Sequence, residues 1–194
     1  MSVVQRCVRD YLLSGCKPEE IDRTTVLSWV SLVRSKLLKL AEGGALRDYA
    51  ATMTLAIVAP NSSVVVQVGD SVCVVQRAGV LEIPVWPING EYANTVSPIT
   101  KLPEPVLEIA CLMGRVDAVA VFSDGLQGQL IDRRGRAPHA PFFIGAFAIL
   151  AESNAYGRDR TVSSDIRKFL ESELICGLTD DDKAIVVAIE IDRE

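Results

Sequence analysis

Three acidic positions stand beside predicted strands, and they are where this sequence could do chemistry. Asp124 ends the apolar run in Phe122-Ser123-Asp124-Gly125, Asp181 lies in Thr179-Asp180-Asp181-Asp182 before the last apolar run, and Asp70 lies in Gly69-Asp70-Ser71. A carboxylate at the end of a strand is held rigidly yet faces solvent, and carboxylate oxygens are ligands that Mg²⁺ and Mn²⁺ prefer. The glycine beside Asp124 lets backbone approach closely. These residues are therefore candidate metal ligands.

Each of these positions also has a purely structural interpretation. Asp124 could cap a short helix that begins near Leu126. The run of acids around Asp181 could form a solvated turn, and Gly69-Asp70 is a common pairing in a plain hairpin turn. The residue types alone leave both interpretations open at all three positions.

The elements that must position these acids begin with two helices. Apolar residues at helical spacing predict a helix over residues 4–12, ended by Gly15, and a second over residues 26–40, ended by Gly43-Gly44. The period then changes, because short β-branched runs separated by tight turns follow, and they predict an antiparallel meander. These runs cover residues 49–58, 64–68, 72–76 and 80–83.

The second half of the chain predicts two strands, two helices and a last strand. The strands cover residues 106–112 and 116–122, and the helices cover 142–150 and 166–174, with Ser163 and Ser164 as caps of the second helix. Residues 184–191 are almost entirely aliphatic, which predicts a strand in the middle of a sheet. We therefore expect one α+β domain over residues 1–194, with two stacked sheets covered by helices.

Composition excludes several classes of protein. The chain has 194 residues, of which 49% are hydrophobic and 23% charged, as in a globular domain rather than a disordered one. Lys and Arg number 20 against 25 Asp and Glu, so the net charge of −5 argues against a nucleic-acid binder. The longest apolar run, residues 140–151, is shorter than the roughly 20 residues of a bilayer span. We expect a cytoplasmic protein without nucleic-acid or membrane partners.

The remaining reactive side chains are expected to be structural. The five cysteines are scattered without a C-x-x-C pair, so we expect reduced cysteines that serve as small core residues. The single histidine, His139, precedes a predicted helix and is expected to be a surface or capping residue, since a zinc site needs several nitrogen or sulfur ligands.

The order of the acidic motifs resembles one family. Four motifs occur in a fixed order: a Thr-containing strand at Ala51-Thr52, the turns Gly69-Asp70-Ser71 and Ser123-Asp124-Gly125, and Asp181-Asp182 before the last strand. This order resembles the PPM-type (type 2C) metal-dependent serine/threonine protein phosphatases, bacterial branch. The segment Gly90-Glu91-Tyr92-Ala93-Asn94-Thr95 is also similar to that branch. The resemblance covers about residues 1 to 191.

The resemblance implies a four-layer α-β-β-α sandwich with two mainly antiparallel sheets and a two-metal centre. In the family, Mg²⁺ or Mn²⁺ ions activate a shared water that attacks phosphoserine or phosphothreonine in a protein substrate, in signalling pathways. Carried over by motif, Asp124 and Asp181 would be metal ligands, and Asp70 would lie near a third metal site.

The family pattern also has an N-terminal part that this sequence does not match. The Asp-Gly-x-Gly-Gly motif, whose aspartate bridges the two metals in the family, occurs nowhere in the chain, which we expect to begin after the strands that carry it. Two interpretations stay open. One is a shortened version of a longer phosphatase, whose missing strands another segment or chain could supply. The other is a catalytically inactive pseudophosphatase or interaction module.

Overall fold

The structure, a computed structural model, describes residues 2–41, 44–87 and 97–191. The α-helices of this part are α1 (Val3–Leu13), α2 (Arg23–Leu40), α3 (Gln127–Leu130), α4 (Ala140–Ala151), α5 (Arg160–Leu170) and α6 (Glu173–Cys176). The strands are β1 (Met53–Val58), β2 (Ser62–Val68), β3 (Val72–Arg77), β4 (Val80–Glu82), β5 (Glu108–Met113), β6 (Ala118–Phe122), β7 (Ile131–Asp132), β8 (Ala137–Pro138) and β9 (Ile185–Ile189).

These elements group into two compact units. The first comprises Met1–Ser71 and Pro87–Arg115, and the second comprises Val72–Trp86 and Val116–Glu194. Each unit combines helices with an antiparallel sheet. The predicted α+β class with antiparallel sheets is therefore confirmed.

The first unit packs α1 and α2 against a three-stranded sheet of order β1-β2-β5. The central strand β2 is buried along its whole length. Alternate residues of a strand point to one face, and Val64 and Val66 of β2 share a core with Trp29 and Val30 of α2. The helical stripe predicted from the sequence thus covers one face of this sheet.

Both helices of this unit begin at polar caps. The Ser2 hydroxyl accepts a hydrogen bond from the Gln5 N–H, and the Gln5 side chain accepts one from the Ser2 N–H at 2.8 Å. The Asp22 carboxylate accepts the Thr25 N–H at 2.8 Å, and this bond keeps the pKa of Asp22 below its ordinary value. Each cap satisfies backbone donors that the first helical turn leaves without a partner.

The second unit is built on a four-stranded antiparallel sheet of order β4-β3-β6-β9. Phe122 at the end of β6 is buried against Phe143 of α4, with ring centroids 5.9 Å apart, and Phe147 continues the same aromatic core. Side chains of this size bury enough area to dominate a small core. The end of β6 is therefore anchored where the first acidic turn begins.

The predicted meander is right for two hairpins and wrong for the step between them. β1 pairs with β2 and β3 pairs with β4, as expected. However, β2 and β3 do not pair, because β2 lies beside β5 and β3 lies beside β6. Gly69-Asp70-Ser71 is thus a connection between two sheets rather than a hairpin turn. Turn residues mark where a strand ends and carry no information on which strand pairs next.

The predicted place of the last strand is also wrong. β9 lies at an edge of its sheet in the described part of the chain, not in the middle. Its residues alternate between exposed and half-buried, and Val186 is 70% exposed. In the described part of the chain, this unbroken aliphatic run therefore forms a strand that pairs on one side only, with β6.

The start of α5 differs from the prediction by a whole turn. The helix begins at Arg160 with Asp159 as its cap and ends at Leu170, whereas Ser163 and Ser164 lie inside it. A separate short helix, α6, follows. An aspartate competes equally well with serine for the capping position, so residue type did not decide between them.

Among the cysteines, only Cys73 of the described residues is a buried core residue, and burial raises the pKa of its thiol to about 12. Cys111 and Cys176 are exposed, so the expectation of core cysteines is wrong for them. None of the described helices is both long and apolar enough to cross a membrane.

Candidate metal-binding site

The pairing of β6 with β9 brings two of the three acidic positions together. In this antiparallel ladder Phe122 lies opposite Ile185. Asp124 follows the end of β6 and Asp181 precedes the start of β9, so both acids lie at the same end of the second unit's sheet. Antiparallel pairing makes this necessary, because the end of one strand lies beside the start of its partner.

Ser123 joins the turn after β6 to the loop before β9. Its N–H donates to the Ala184 carbonyl at 3.0 Å, and its hydroxyl accepts the Ala184 N–H at 3.0 Å. The same hydroxyl donates to the Asp182 carbonyl at 3.2 Å. The side chain therefore continues the ladder for one residue beyond β6. These three bonds fix the turn that carries Asp124 against the loop that carries Asp181.

Gly125 allows this close contact. A Cβ atom at this position would lie 2.5 Å from the Asp182 carbonyl oxygen and 3.1 Å from the Asp181 Cβ. The first distance is shorter than any ordinary nonbonded contact, and it involves backbone that cannot rotate away. Gly125 is therefore needed for space, since the Asp181–Asp182 backbone lies directly against it.

The carboxylates of Asp124 and Asp181 are exposed and uncommitted. Neither accepts a hydrogen bond or forms an ion pair with another described residue. Asp124 is the first residue of a short 3-10 helix, Asp124–Leu126, and no side chain caps this helix or α3. The capping interpretation of Asp124 therefore does not hold. The backbone of Asp181 is held by its neighbours, with its N–H donating to Thr179 Oγ1 at 3.2 Å and its carbonyl accepting from Lys183 Nζ at 3.3 Å.

Asp70 lies in the first unit, in a turn with a different construction. Gly69 has φ of 102°, a left-handed conformation that glycine adopts without strain. The Gln67 side chain donates to the Gly69 carbonyl at 3.2 Å, and the hydroxyls of Ser71 and Thr52 are 3.3 Å apart. Asp70 is half-buried and has interactions of its own. Its role as a third-metal residue stays a prediction.

The two carboxylates of Asp124 and Asp181 could supply some, but not all, of the oxygen ligands that a Mg²⁺ ion needs. Mg²⁺ is commonly held by one or two carboxylates while waters and substrate phosphates fill the other positions. Within residues 2–41, 44–87 and 97–191, no three Asp, Glu, His or Cys side chains come close enough to form a larger ligand set. Asp124 and Asp181 are therefore the candidate ligands, and their binding of a divalent ion stays a prediction.

Two other predictions have separate outcomes. His139 is exposed and is the N-cap residue of α4, although its side chain makes no capping bond. The segment Gly90-Glu91-Tyr92-Ala93-Asn94-Thr95 lies outside the described residues.

The sequence did not predict that Ser123 joins two distant segments. The only sign of this role in the sequence was the position of Ser123 between Phe122, the last residue of β6, and Asp124.

Comparisons with known proteins show the family and the fold of the chain. A sequence profile described as "Protein phosphatase 2C" matches residues 1–171. The chain is 34% identical over 163 residues to serine/threonine-protein phosphatase 3 of Escherichia coli (strain K12), a match that covers 82% of this chain and 64% of that protein. The chain thus spans less than two thirds of this curated relative.

Solved structures with a similar fold include two bacterial proteins. The serine/threonine phosphatase of S. agalactiae has a TM-score of 0.57 at 13% identity, covering 97% of this chain and 81% of that one. PppA, described as a key regulatory component of T6SS in Pseudomonas aeruginosa, has a TM-score of 0.52 at 21% identity, covering 87% and 68%. At these identities the similarity shows the fold alone. Nothing in these comparisons favours the inactive alternative.

Proposed function

The chain belongs to the protein phosphatase 2C family, and from that premise we propose that residues 1–194 form one domain that hydrolyses phosphoserine and phosphothreonine in protein substrates. The 34% identical relative is named a serine/threonine-protein phosphatase, which supports this substrate class. A function in signalling follows from the reaction, because removing a phosphate reverses a charge-changing modification.

One observation carries the proposal: Ser123 ties the Asp124 turn to the Asp181 loop while both carboxylates stay uncommitted. Like charges in neighbouring segments repel one another, and no described residue forms an ion pair or a hydrogen bond with either carboxylate, although the Lys183 ammonium lies on the Asp181 carbonyl. Their neighbourhood is stable in a folded protein because both remain exposed to water. A divalent cation would compensate the same charge with the ligands that it prefers.

The proposed roles of the side chains follow from their positions. Asp124 and Asp181 would hold Mg²⁺ or Mn²⁺, and Asp70 would contribute to a third, weaker metal site. Divalent ions supply a water of lowered pKa and neutralise phosphoryl charge when they are bound. Ser123 and Gly125 act as positioning residues, because they set how closely the two carboxylate-bearing segments approach.

Three finer statements belong to the same proposal. We place the protein in the cytoplasm, with phosphorylated proteins as partners and without nucleic-acid or membrane partners. We also propose that a strand from outside the described residues completes the domain. The support for this last statement is the edge position of β9.

The proposal is tested with the whole chain and a phosphothreonine peptide. We expect phosphate release that requires Mn²⁺ or Mg²⁺ and stops when EDTA is added. Asp181→Asn should lower the rate and weaken Mn²⁺ binding in calorimetry, because it removes a charged ligand. Asp180→Asn is the matched control in the same acidic loop, and it should leave both quantities nearly unchanged.

Two results would contradict the proposal. The first is absence of phosphate release with any divalent ion, although the chain is folded by circular dichroism. The second is equal Mn²⁺ binding by the Asp180→Asn and Asp181→Asn variants, which would assign the binding to general negative charge.

A further inference from the structure

A small hairpin follows the turn that carries Asp124. It consists of β7 and β8, which pair through two residues each, and the His139 N–H donates to the Leu130 carbonyl at 2.8 Å at its base. Leu130 and Ile131 are buried in the core of the second unit. Residues 133–136 form the exposed tip. We call residues 131–138 the arginine hairpin, and its base is fixed to the core.

The tip carries positive charge that the described residues do not compensate. Arg133, Arg134 and Arg136 lie in it, and with Asp132 they give the hairpin a net charge of +2 in a chain of net charge −5. None of the three guanidinium groups forms an ion pair with a described carboxylate. The Asp132 carboxylate instead accepts the backbone N–H of Arg134 at 2.9 Å. Three like charges are thus held together without a described counter-ion.

A neutral partner fixes the first of these arginines. The Arg133 side chain donates to Gln127 Oε1 at 2.7 Å. Gln127 is only 2% exposed, and its N–H donates to the Asp124 carbonyl. Two hydrogen bonds therefore connect the Arg133 guanidinium to a candidate metal ligand. Because an amide is uncharged, this contact orients the guanidinium and leaves its charge and its other N–H donors available.

An aromatic ring fixes the third arginine. The guanidinium carbon of Arg136 lies 5.1 Å from the centre of the Trp86 ring, within the range of a cation–π contact. Trp86 packs against the core of the second unit. Arg136 has φ of 51°, a left-handed conformation that glycine adopts with less strain. An arginine stacked on a ring can still donate paired hydrogen bonds from its edge.

Other cations of the second unit have different surroundings. Arg158 and Arg167 line a groove of about 830 Å³ beside the free edge of β9, together with residues 180–183, which comprise three acids and one lysine. The completing strand proposed above would occupy this groove. The arginine hairpin does not line it, and the acid within the hairpin is Asp132.

We propose that the tip of the arginine hairpin binds anionic side chains that flank the phosphorylated residue of a protein substrate. Guanidinium groups bind carboxylates and phosphates alike through paired, charge-assisted hydrogen bonds. The link from Arg133 through Gln127 to Asp124 places this tip near the candidate metal ligands. The preferred substrate is therefore an acidic or multiply phosphorylated segment. The inference rests on the proposed function for the substrate, and on the hairpin alone for the binding.

Fluorescence anisotropy of labelled peptides in EDTA tests the binding on the whole 194-residue chain. One peptide carries phosphothreonine with two glutamates three and four residues away on each side, and the matched peptide carries glutamines there. Divalent ions are absent, so a difference between the peptides does not depend on a metal centre. The glutamate peptide should bind about fivefold more tightly, as expected of two or three exposed ion pairs. Added salt should remove this preference, and equal affinities at low salt would overturn the proposal.

Single variants locate the preference in the hairpin. Arg134→Gln and Arg136→Gln should each lower the ratio of the two affinities by about twofold or more, because each removes one charge from the tip. Arg160→Gln, an exposed arginine of α5 outside the hairpin, is the matched control and should leave the ratio unchanged. Equal losses in all three variants would assign the preference to general positive charge and overturn the proposal. An unchanged ratio in both hairpin variants would overturn it too.

The two tryptophans give a second measurement by NMR. The glutamate peptide should shift the indole N–H signal of Trp86, because Arg136 lies on that ring. The indole of Trp29, in the core of the first unit, should not shift. Binding that leaves the Trp86 signal in place would overturn the proposal.

Phosphate release with Mn²⁺ separates this inference from the proposed function. If both peptides are hydrolysed but bind equally, the inference about the hairpin fails alone. If neither is hydrolysed while the glutamate peptide binds at the hairpin, the proposed function fails and the anion site remains.

Two further ligands identify the anion that the hairpin prefers. A peptide with phosphoserines in place of the glutamates should bind at least as tightly as the glutamine peptide, and its rank against the glutamate peptide distinguishes added phosphates from carboxylates. An RNA oligonucleotide of equal charge that binds more tightly than every peptide would assign the hairpin to nucleic acid and overturn the proposal.

Discussion

The turns Gly69-Asp70-Ser71 and Ser123-Asp124-Gly125 contain the same three residue types in a different order, but their surroundings differ. The first turn is held by nearby residues, through the bond from Gln67 to the Gly69 carbonyl and through a left-handed glycine. The second is held by partners about 60 residues away, through the bonds between Ser123 and Ala184.

This difference decides what the two aspartates can do. Gly125 in the second turn lies against the Asp181–Asp182 backbone, so the turn that carries Asp124 contacts the loop that carries a second carboxylate without a described partner. Asp70 stands in a connection between two sheets, where its half-buried side chain has other interactions. Equal residue types in a turn therefore do not imply equal chemistry, because a metal site needs converging ligands.

The largest expected difference between the two turns appears when the charge of each aspartate is removed in a separate variant. Asp124→Asn should lower Mn²⁺-dependent phosphate release by about 100-fold or more, since altering groups that merely orient metal ligands already costs roughly 10–100-fold. Asp70→Asn should cost less, about tenfold at most on the same scale. Rates and calorimetric Mn²⁺ affinities of both variants provide the measurement.

Equal losses in the two variants would contradict the comparison, because the two turns would then contribute alike. Both substitutions preserve side-chain size and leave the backbone untouched, so unfolding curves of the variants should overlap with that of the parent chain.

A methyl group at Gly125 tests the close contact itself. Gly125→Ala should destabilise the fold by about 1–3 kcal/mol, because the new Cβ overlaps with the Asp182 carbonyl and must displace the Asp181 loop. Mn²⁺ affinity should fall as well. Urea unfolding and calorimetry measure the two effects.

Gly128→Ala is the matched control for this substitution. Gly128 lies in α3 with open space around its Cα, so alanine should be neutral or stabilise the helix by up to about 1 kcal/mol. If Gly125→Ala behaved like this control, Gly125 would have no role in the approach of the two segments.

The smallest expected effect concerns Asp159, whose carboxylate, unlike those of Asp124 and Asp181, accepts hydrogen bonds within the protein. The Asp159 carboxylate accepts hydrogen bonds from the Ser153 hydroxyl and the Val162 N–H, and these bonds, the hydroxyl first, lower the pKa of Asp159. A lowered pKa in the folded state stabilises the protein above the unfolded value of about 3.9. This stabilisation is lost as the pH falls through the lower folded value.

The stability gap between the parent chain and Asp159→Asn should therefore be widest at neutral pH and narrow below about pH 4. Urea unfolding at a series of pH values gives this gap. Ser153→Ala in both backgrounds should remove the larger part of the pH dependence. If the difference in unfolding free energy between the two proteins were the same at low and neutral pH, the hydrogen bonds of Asp159 would not stabilise its ionised carboxylate.

Much of the site could be predicted from the sequence because the signals are local. Asp124 and Asp181 were separate candidate ligands from their places beside apolar runs, and the family resemblance joined them in one site. The β6–β9 register brings their segments together. Two local signals failed. The turn at Asp70 was predicted as a hairpin, and α5 begins a turn before the serines that were predicted to cap it.

The failure at β9 has a different cause. A continuous aliphatic run predicts a strand, but the number of neighbours beside that strand depends on the rest of the sheet. In the described part of the chain β9 has β6 on one side only. Its free edge and the groove beside it therefore became visible only in three dimensions.

By itself, the amino-acid sequence determined which residues carry the charge, where the strands end and which family this chain resembles, since side-chain type and periodicity are properties of neighbouring residues. The tertiary structure alone decided that the Ser123 hydroxyl joins two distant segments and that Gly125 leaves room for them. Such contacts link positions about 60 residues apart, and they form only when the whole sheet assembles, because each strand's place depends on the pairing of all the others.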